Sequence, residues 1–130
     1  MGSPTLKAAV VGVGHLGQHH ARLMNEIPGV ELSAVVDVDP DRAEAIAKPL
    51  GAVGLSSLDS IPDDVTAVSV AVPTSLHRDV VMSLLDREIN VLVEKPMAAT
   101  LDEAREMEAA ARERGVVLQV GHIERFNPAL

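Results

Sequence analysis

Short aliphatic runs and longer mixed segments alternate along the whole chain. The runs at 6–11, 31–36, 52–55, 67–72, 89–93 and 116–120 have strand length, and most are bounded by Gly, Pro or Asp. Largely aliphatic runs of this kind predict strands buried on both faces, as in a parallel sheet. Between the first two, residues 15–27 carry Leu16, His20, Leu23 and Ile27 at helical spacing. These are the expected inward residues, and Pro28-Gly29 stops the helix. Asp39 is placed to cap a second helix, with Pro40 at its first position; it runs to Lys48 and is broken by Pro49 and Gly51. The stretch 56–64 is a polar connection with room for one helical turn. Pro73 ends the fourth run, and a third helix is predicted over 76–87. Thr100 and Glu103 form a capping box, Thr100 at the cap and Glu103 reaching back, for a fourth helix that ends at Gly115. Residues 121–130 form a tail with no element behind it.

The order is βαβαβ followed by βαβαβ. Right-handed crossovers put the helices on both faces of one sheet. The expected fold is therefore α/β: a doubly wound, parallel, six-stranded Rossmann sheet in the order 3-2-1-4-5-6. Its ligand crevice lies where strands 1 and 4 diverge, at their C-terminal ends. The domain occupies 1–121, and 122–130 leads out of it.

Composition narrows the function. The chain has 130 residues, 47% of them hydrophobic and 1% aromatic, enough for one domain with an aliphatic core. The net charge is −8, with no stripe of Lys and Arg to meet a phosphate backbone and no aromatic set on which bases could stack. Nucleic acid is thereby excluded as a partner. Cysteine is absent, so no disulfide or thiolate metal site can form, which fits a cytoplasmic setting. No apolar run has membrane-spanning length, and Met1-Gly2-Ser3-Pro4 reads as a short leader without the charged and apolar regions of a signal peptide.

Gly12-Val13-Gly14-His15-Leu16-Gly17 is a G-x-G-x-x-G turn placed after a strand and opening a helix. Gly12 permits the tight turn, Gly14 lets a pyrophosphate approach the backbone, and Gly17 lets helix and strand pack closely. The amides of the helix start, around His15 and Leu16, are the anion donors. Asp37 follows Gly17 by twenty residues, at the end of strand 2. A carboxylate there accepts from the adenosine ribose hydroxyls and repels the extra phosphate of NADP, so NAD is the expected cofactor and NADP the lesser one. Arg42 is the nearest cation. The competing reading is an ordinary strand–turn–helix with a helix-capping Asp. His15 and His19 are four apart, but no carboxylate or cysteine stands at ligand spacing, so no metal is expected.

Three further segments carry a resemblance. Ala71-Val72-Pro73-Thr74-Ser75-Leu76-His77 is similar to a T-P-N-x-x-H loop, Glu94-Lys95-Pro96 matches an E-K-P signature, and Gly121-His122-Ile123-Glu124-Arg125-Phe126-Asn127-Pro128 follows strand 6. With the glycine turn, these resemble the N-terminal half of the glucose–fructose oxidoreductase / inositol dehydrogenase / MocA family. The last segment is similar to members acting on UDP-linked N-acetylated sugars. Val72 stands where the family usually has Thr and Ser75 where it has Asn, which leaves the polar contacts of that loop open.

The resemblance implies an oxidoreductase that oxidises a secondary hydroxyl of a sugar, nucleotide sugar or cyclitol by hydride transfer to NAD. It implies that Lys95 is the catalytic residue, beside the nicotinamide and the reacting hydroxyl. Glu94 would orient it or face the cofactor through its backbone, and Pro96 would fix the turn through a cis bond. Pro73, Thr74 and His77 would border the cofactor, His77 alternatively capping its helix. His122 and Arg125 would lie on the substrate side. Family members continue into a second α/β domain, absent here, that supplies substrate contacts, an Asp and a His, and an oligomer face. The fragment is then expected to bind cofactor without turnover and, with apolar surface uncovered, to self-associate. The alternative is a non-catalytic NAD(P)-sensing module of the same fold. A third class, amino-acid pathway reductases, lacks the E-K-P turn.

Overall fold

The structure is a computed structural model, and it describes residues 5–121. Six strands form one parallel sheet: β1 (Leu6–Val11), β2 (Val30–Val36), β3 (Val53–Leu55), β4 (Ala67–Val70), β5 (Asn90–Val93) and β6 (Leu118–Val120). Four helices connect them: α1 (His15–Glu26), α2 (Pro40–Ala47), α3 (His77–Asp86) and α4 (Leu101–Arg114). The strand order is β3-β2-β1-β4-β5-β6, the doubly wound arrangement expected from the alternation of elements.

Alternation along the strands divides the core in two. Ala9 and Val11 of β1 face one layer with Val68, Val70, Val91 and Val93, covered by Val81, Leu84 and Leu85 of α3 and Met107, Ala110 and Ala111 of α4. Val10 faces the other layer with Leu32 and Val35, covered by Ala21 of α1 and Ala47 of α2. On this second side, β4 to β6 carry a shallow cavity lined by Ser69, Leu92 and Gln119 of the strands and Met24 of α1.

Several boundaries differ from expectation, each because the end residues have other hydrogen-bonding partners. β4 stops at Val70: Ala71 still donates to Val11 O at 2.8 Å, but the Val72 carbonyl turns to the His77 ring. β5 starts at Asn90 because Ile89 N is spent on Leu84 O at the end of α3. β6 starts at Leu118 because Val116 N closes the end of α4 on Ala111 O, and Val117 N takes Asn90 Oδ1. A 3-10 turn at Thr74–Leu76 precedes α3, and another at Lys48–Leu50 follows α2. The polar connection holds a third, at Leu58–Ser60.

The inward face of α1 is the largest correction. Gly17, His20 and Ala21 are buried, whereas Leu16 and Ile27 are 37% and 43% exposed. The helix lies so close to the sheet that small residues take the contact, and the large aliphatic ones stay at the rim.

Candidate functional site

The sheet register sets the site. Leu55, Val36, Val11, Val70, Val93 and Val120 are paired in one row across all six strands. The next residues, Asp37, Gly12, Ala71, Glu94 and Gly121, therefore stand along one edge, the C-terminal edge where ligands of open α/β sheets bind. Asp37, Gly12 and Glu94 are far apart in sequence and become neighbours only through this register.

The glycine turn is built as the sequence requires. Gly12 has φ +89°, and a Cβ there would lie 2.9 Å from the Ala71 backbone. A Cβ on Gly17 would lie 1.7 Å from the Gly12 carbonyl oxygen, so helix and turn can meet only through glycine. Around Gly14 a Cβ would meet nothing within 4 Å. This glycine serves no internal contact, and the space it leaves lies over the start of α1. No side chain caps α1, and no acidic residue lies in its first turn. By contrast, α2 is capped by Asp39 and α4 by Thr100, each with an acidic residue in the first turn. Uncapped amides with an unopposed helix dipole favour an anion. His15 and Leu16 sit at this start and are exposed.

Asp37 adjoins the turn. Its Oδ2 accepts from Val13 N at 3.0 Å and its Oδ1 from Asp39 N at 2.9 Å. The carboxylate thus holds the glycine turn against strand 2, a role the sequence did not indicate. Each oxygen keeps a lone-pair site for a further donor such as a ribose hydroxyl. Arg42 Nη1 lies 3.8 Å from Oδ2, half exposed.

At β5, Glu94 and Lys95 diverge. The Glu94 carboxylate is buried on the α1 side, 2.7 Å from His20 Nε2. Lys95 is exposed at the edge, and among the described residues no carboxylate pairs with it. The Lys95–Pro96 peptide is cis, as the resemblance implied. His77 is 1% exposed. Its Nδ1 lies 3.0 Å from Pro96 O and 3.1 Å from Met97 O, and its Nε2 lies 2.9 Å from Val72 O. It does not cap its helix; it staples the loop after β4 to the turn after β5. Thr74 and Pro73 stand on that loop, Pro73 exposed. Ser69, which no sequence signal singled out, places its Oγ 2.8 Å from His20 Nδ1.

His122 and Arg125 lie outside the described residues. Among the described residues no group of three or more His, Asp and Glu is placed to hold a metal, and no helix is long and apolar enough to cross a membrane.

Comparison with known proteins places this edge in context. Residues 6–122 match the family model GFO_IDH_MocA, described as an oxidoreductase family with an NAD-binding Rossmann fold. UDP-N-acetylglucosamine 3-dehydrogenase of Acidithiobacillus ferrooxidans is 36% identical over 125 residues, covering 96% of this chain and 39% of that enzyme. GenD2 from gentamicin A biosynthesis, solved with NAD, superposes with a TM-score of 0.87 at 38% identity, over 92% of this chain and 35% of that one. KijD10, a 3-ketoreductase from Actinomadura kijaniata solved with NADP and TDP-benzene, gives 0.84 at 27% identity, over 89% of this chain and 38% of its own. The chain thus spans between a third and two fifths of the length of these relatives.

Proposed function

The chain belongs to the Gfo/Idh/MocA oxidoreductase family and carries its NAD-binding Rossmann fold; from that premise we propose that it is the cofactor half of an enzyme that oxidises a secondary hydroxyl of a sugar, nucleotide sugar or cyclitol. The observation that supports this most strongly is the pairing of an uncapped helix start and open Gly14 with Lys95 on the same sheet edge. The first fits a pyrophosphate, and the second fits a reacting oxygen. A relative that is a UDP-N-acetylglucosamine 3-dehydrogenase and a 3-ketoreductase solved with TDP-benzene favour a nucleotide sugar within that class.

NAD, when bound, supplies the hydride acceptor. The amides near His15 and Leu16 would hold its phosphates, with Gly12, Gly14 and Gly17 shaping the turn. Asp37 would take the adenosine ribose hydroxyls and disfavour a 2′-phosphate, and Pro73 and Thr74 would wall the crevice. Lys95 would donate to the substrate oxygen and stabilise the negative charge that builds there as the hydroxyl proton passes to a base of the substrate half, the hydride leaving the carbon for the cofactor. Glu94, Pro96 and His77 support it from below. We assign residues 1–121 to the cofactor domain and read 122–130, with His122 and Arg125, as the lead into the substrate half. A cysteine-free chain of this kind suits the cytoplasm.

Calorimetric titration of the chain with NAD⁺ and NADP⁺ tests the reading. NAD⁺ is expected to bind saturably, NADP⁺ at least about tenfold more weakly, a difference of about 1.4 kcal/mol. Asp37→Ala is expected to abolish the preference. Equal binding of the two would overturn the role of Asp37, and no binding of either would overturn the cofactor assignment.

A further inference from the structure

Lys95 stands between two anchors. On the α3 side, the His77 ring holds the carbonyls of Pro96 and Met97. On the α1 side, the Glu94 carboxylate lies 2.7 Å from His20 Nε2, and His20 Nδ1 lies 2.8 Å from Ser69 Oγ. All three side chains are buried: His20 is 1% exposed, Ser69 0% and Glu94 5%.

Beside the Glu94 carboxylate Nε2 is placed to donate, and in that tautomer of the neutral ring Nδ1 accepts from the Ser69 hydroxyl. A hydrogen bond to a carboxylate away from water is of the strong kind, and a ring held at both nitrogens keeps one orientation. The geometry therefore fixes Glu94, the residue joined to Lys95, in a single place. His20 belongs to α1, whose uncapped start faces the same sheet edge.

We propose that His20 is a positioning residue for Lys95. The chain Ser69–His20–Glu94 ties the strand end that bears Lys95 to the helix that opens at the glycine turn, so that the two sites are held in one frame. The His77 staple keeps the turn folded when the His20 contact is released, so its loss displaces Lys95 instead of melting the loop. The link to the phosphate end rests on the cofactor reading above; the effect on Lys95 itself does not.

The lysines of this chain are Lys7, Lys48 and Lys95, so ¹³C-dimethylated protein gives a resonance for each, and Lys95→Arg identifies that of Lys95. His20→Gln places an amide N–H near the former Nε2 and is expected to leave the Lys95 resonance at its wild-type position. His20→Asn reaches only as far as Nδ1 and is expected to move it by more than its linewidth, with Lys48 unmoved. Glu94→Asp breaks the contact from the other end and should also displace the Lys95 resonance, which carries the test if the Asn variant does not fold. In the wild type NAD⁺ should shift the Lys95 signal further; in His20→Asn that response should be lost while the heat of binding remains. A Lys95 signal at the wild-type position in both His20→Asn and Glu94→Asp, or displaced alike in the Gln and Asn variants, would overturn the proposal. Failure of the wild type to bind NAD⁺ would sink the cofactor reading alone, since the nucleotide-free comparison still decides the role of His20.

Discussion

Gly14 and Gly17 belong to one motif but do different physical work. An added methyl meets nothing at Gly14, and at Gly17 it would sit 1.7 Å from a backbone oxygen that cannot move away. Gly17→Ala is therefore expected to destabilise the fold by more than about 3 kcal/mol, read as a lowered urea midpoint. Gly14→Ala should leave stability within about 0.5 kcal/mol. It should nonetheless weaken NAD⁺ binding at least about tenfold by calorimetry. The packing role of Gly17 was legible in the sequence, because the motif encodes local geometry. The partners of His20 were not. Its inward position could be read from helical spacing, but Ser69 and Glu94 are distant in the chain and meet it only through the fold. Asp37 was legible as an acidic residue ending strand 2, whereas its bond to Val13 N needed the structure.

The start of α1 differs from those of α2 and α4. Asp39 accepts from Asp41 N at 3.1 Å and Arg42 N at 3.3 Å, and Thr100 from Glu103 N at 3.2 Å, while α1 has no such cap. Asp39→Ala should cost about 1 kcal/mol and lower Tm by about 4 °C. The sequence announced both caps through local residue types. Strand ends were less legible, since the hydrogen bonds of Ile89 and Val116 go to helix ends instead of the sheet.

Helices α3 and α4 are also joined at the surface by Arg78 and Glu106, with Nε to Oε2 at 3.0 Å. The hydrogen bond from Arg78 holds the Glu106 carboxyl below its ordinary range. Its contribution to stability is thus present above the unfolded-chain value and lost as pH falls through the folded one. Glu106→Gln should therefore lower Tm slightly at neutral pH, and the difference should vanish in acid and shrink in salt, as exposed pairs are screened.

At the scale of the whole molecule, two successive βαβαβ runs were enough to point to the sheet order, because right-handed crossovers leave few arrangements and 3-2-1-4-5-6 is the usual one for two such halves. The register then brings the chemistry to one edge, so a ligand bound there should stabilise the entire domain. At a hundredfold its Kd, NAD⁺ should add about 2.7 kcal/mol, a rise in Tm of about 10 °C in calorimetric melts. The contacts of Leu16 and Ile27 show what pattern alone misses at this scale. Large aliphatic residues at helical spacing predict a buried stripe, but close packing of α1 on the sheet gives the contact to Gly17 and Ala21.

The placement of the cofactor site is tested most directly by a ¹⁵N–¹H correlation titration of the chain with NAD⁺. The largest amide shifts are expected on Val13, Gly14, His15 and Leu16, with Asp37 and Lys95 following at the same saturating concentration. Shifts concentrated instead around Met24, Leu92 and Gln119 on the open side of the sheet, or no shifts at all, would contradict it.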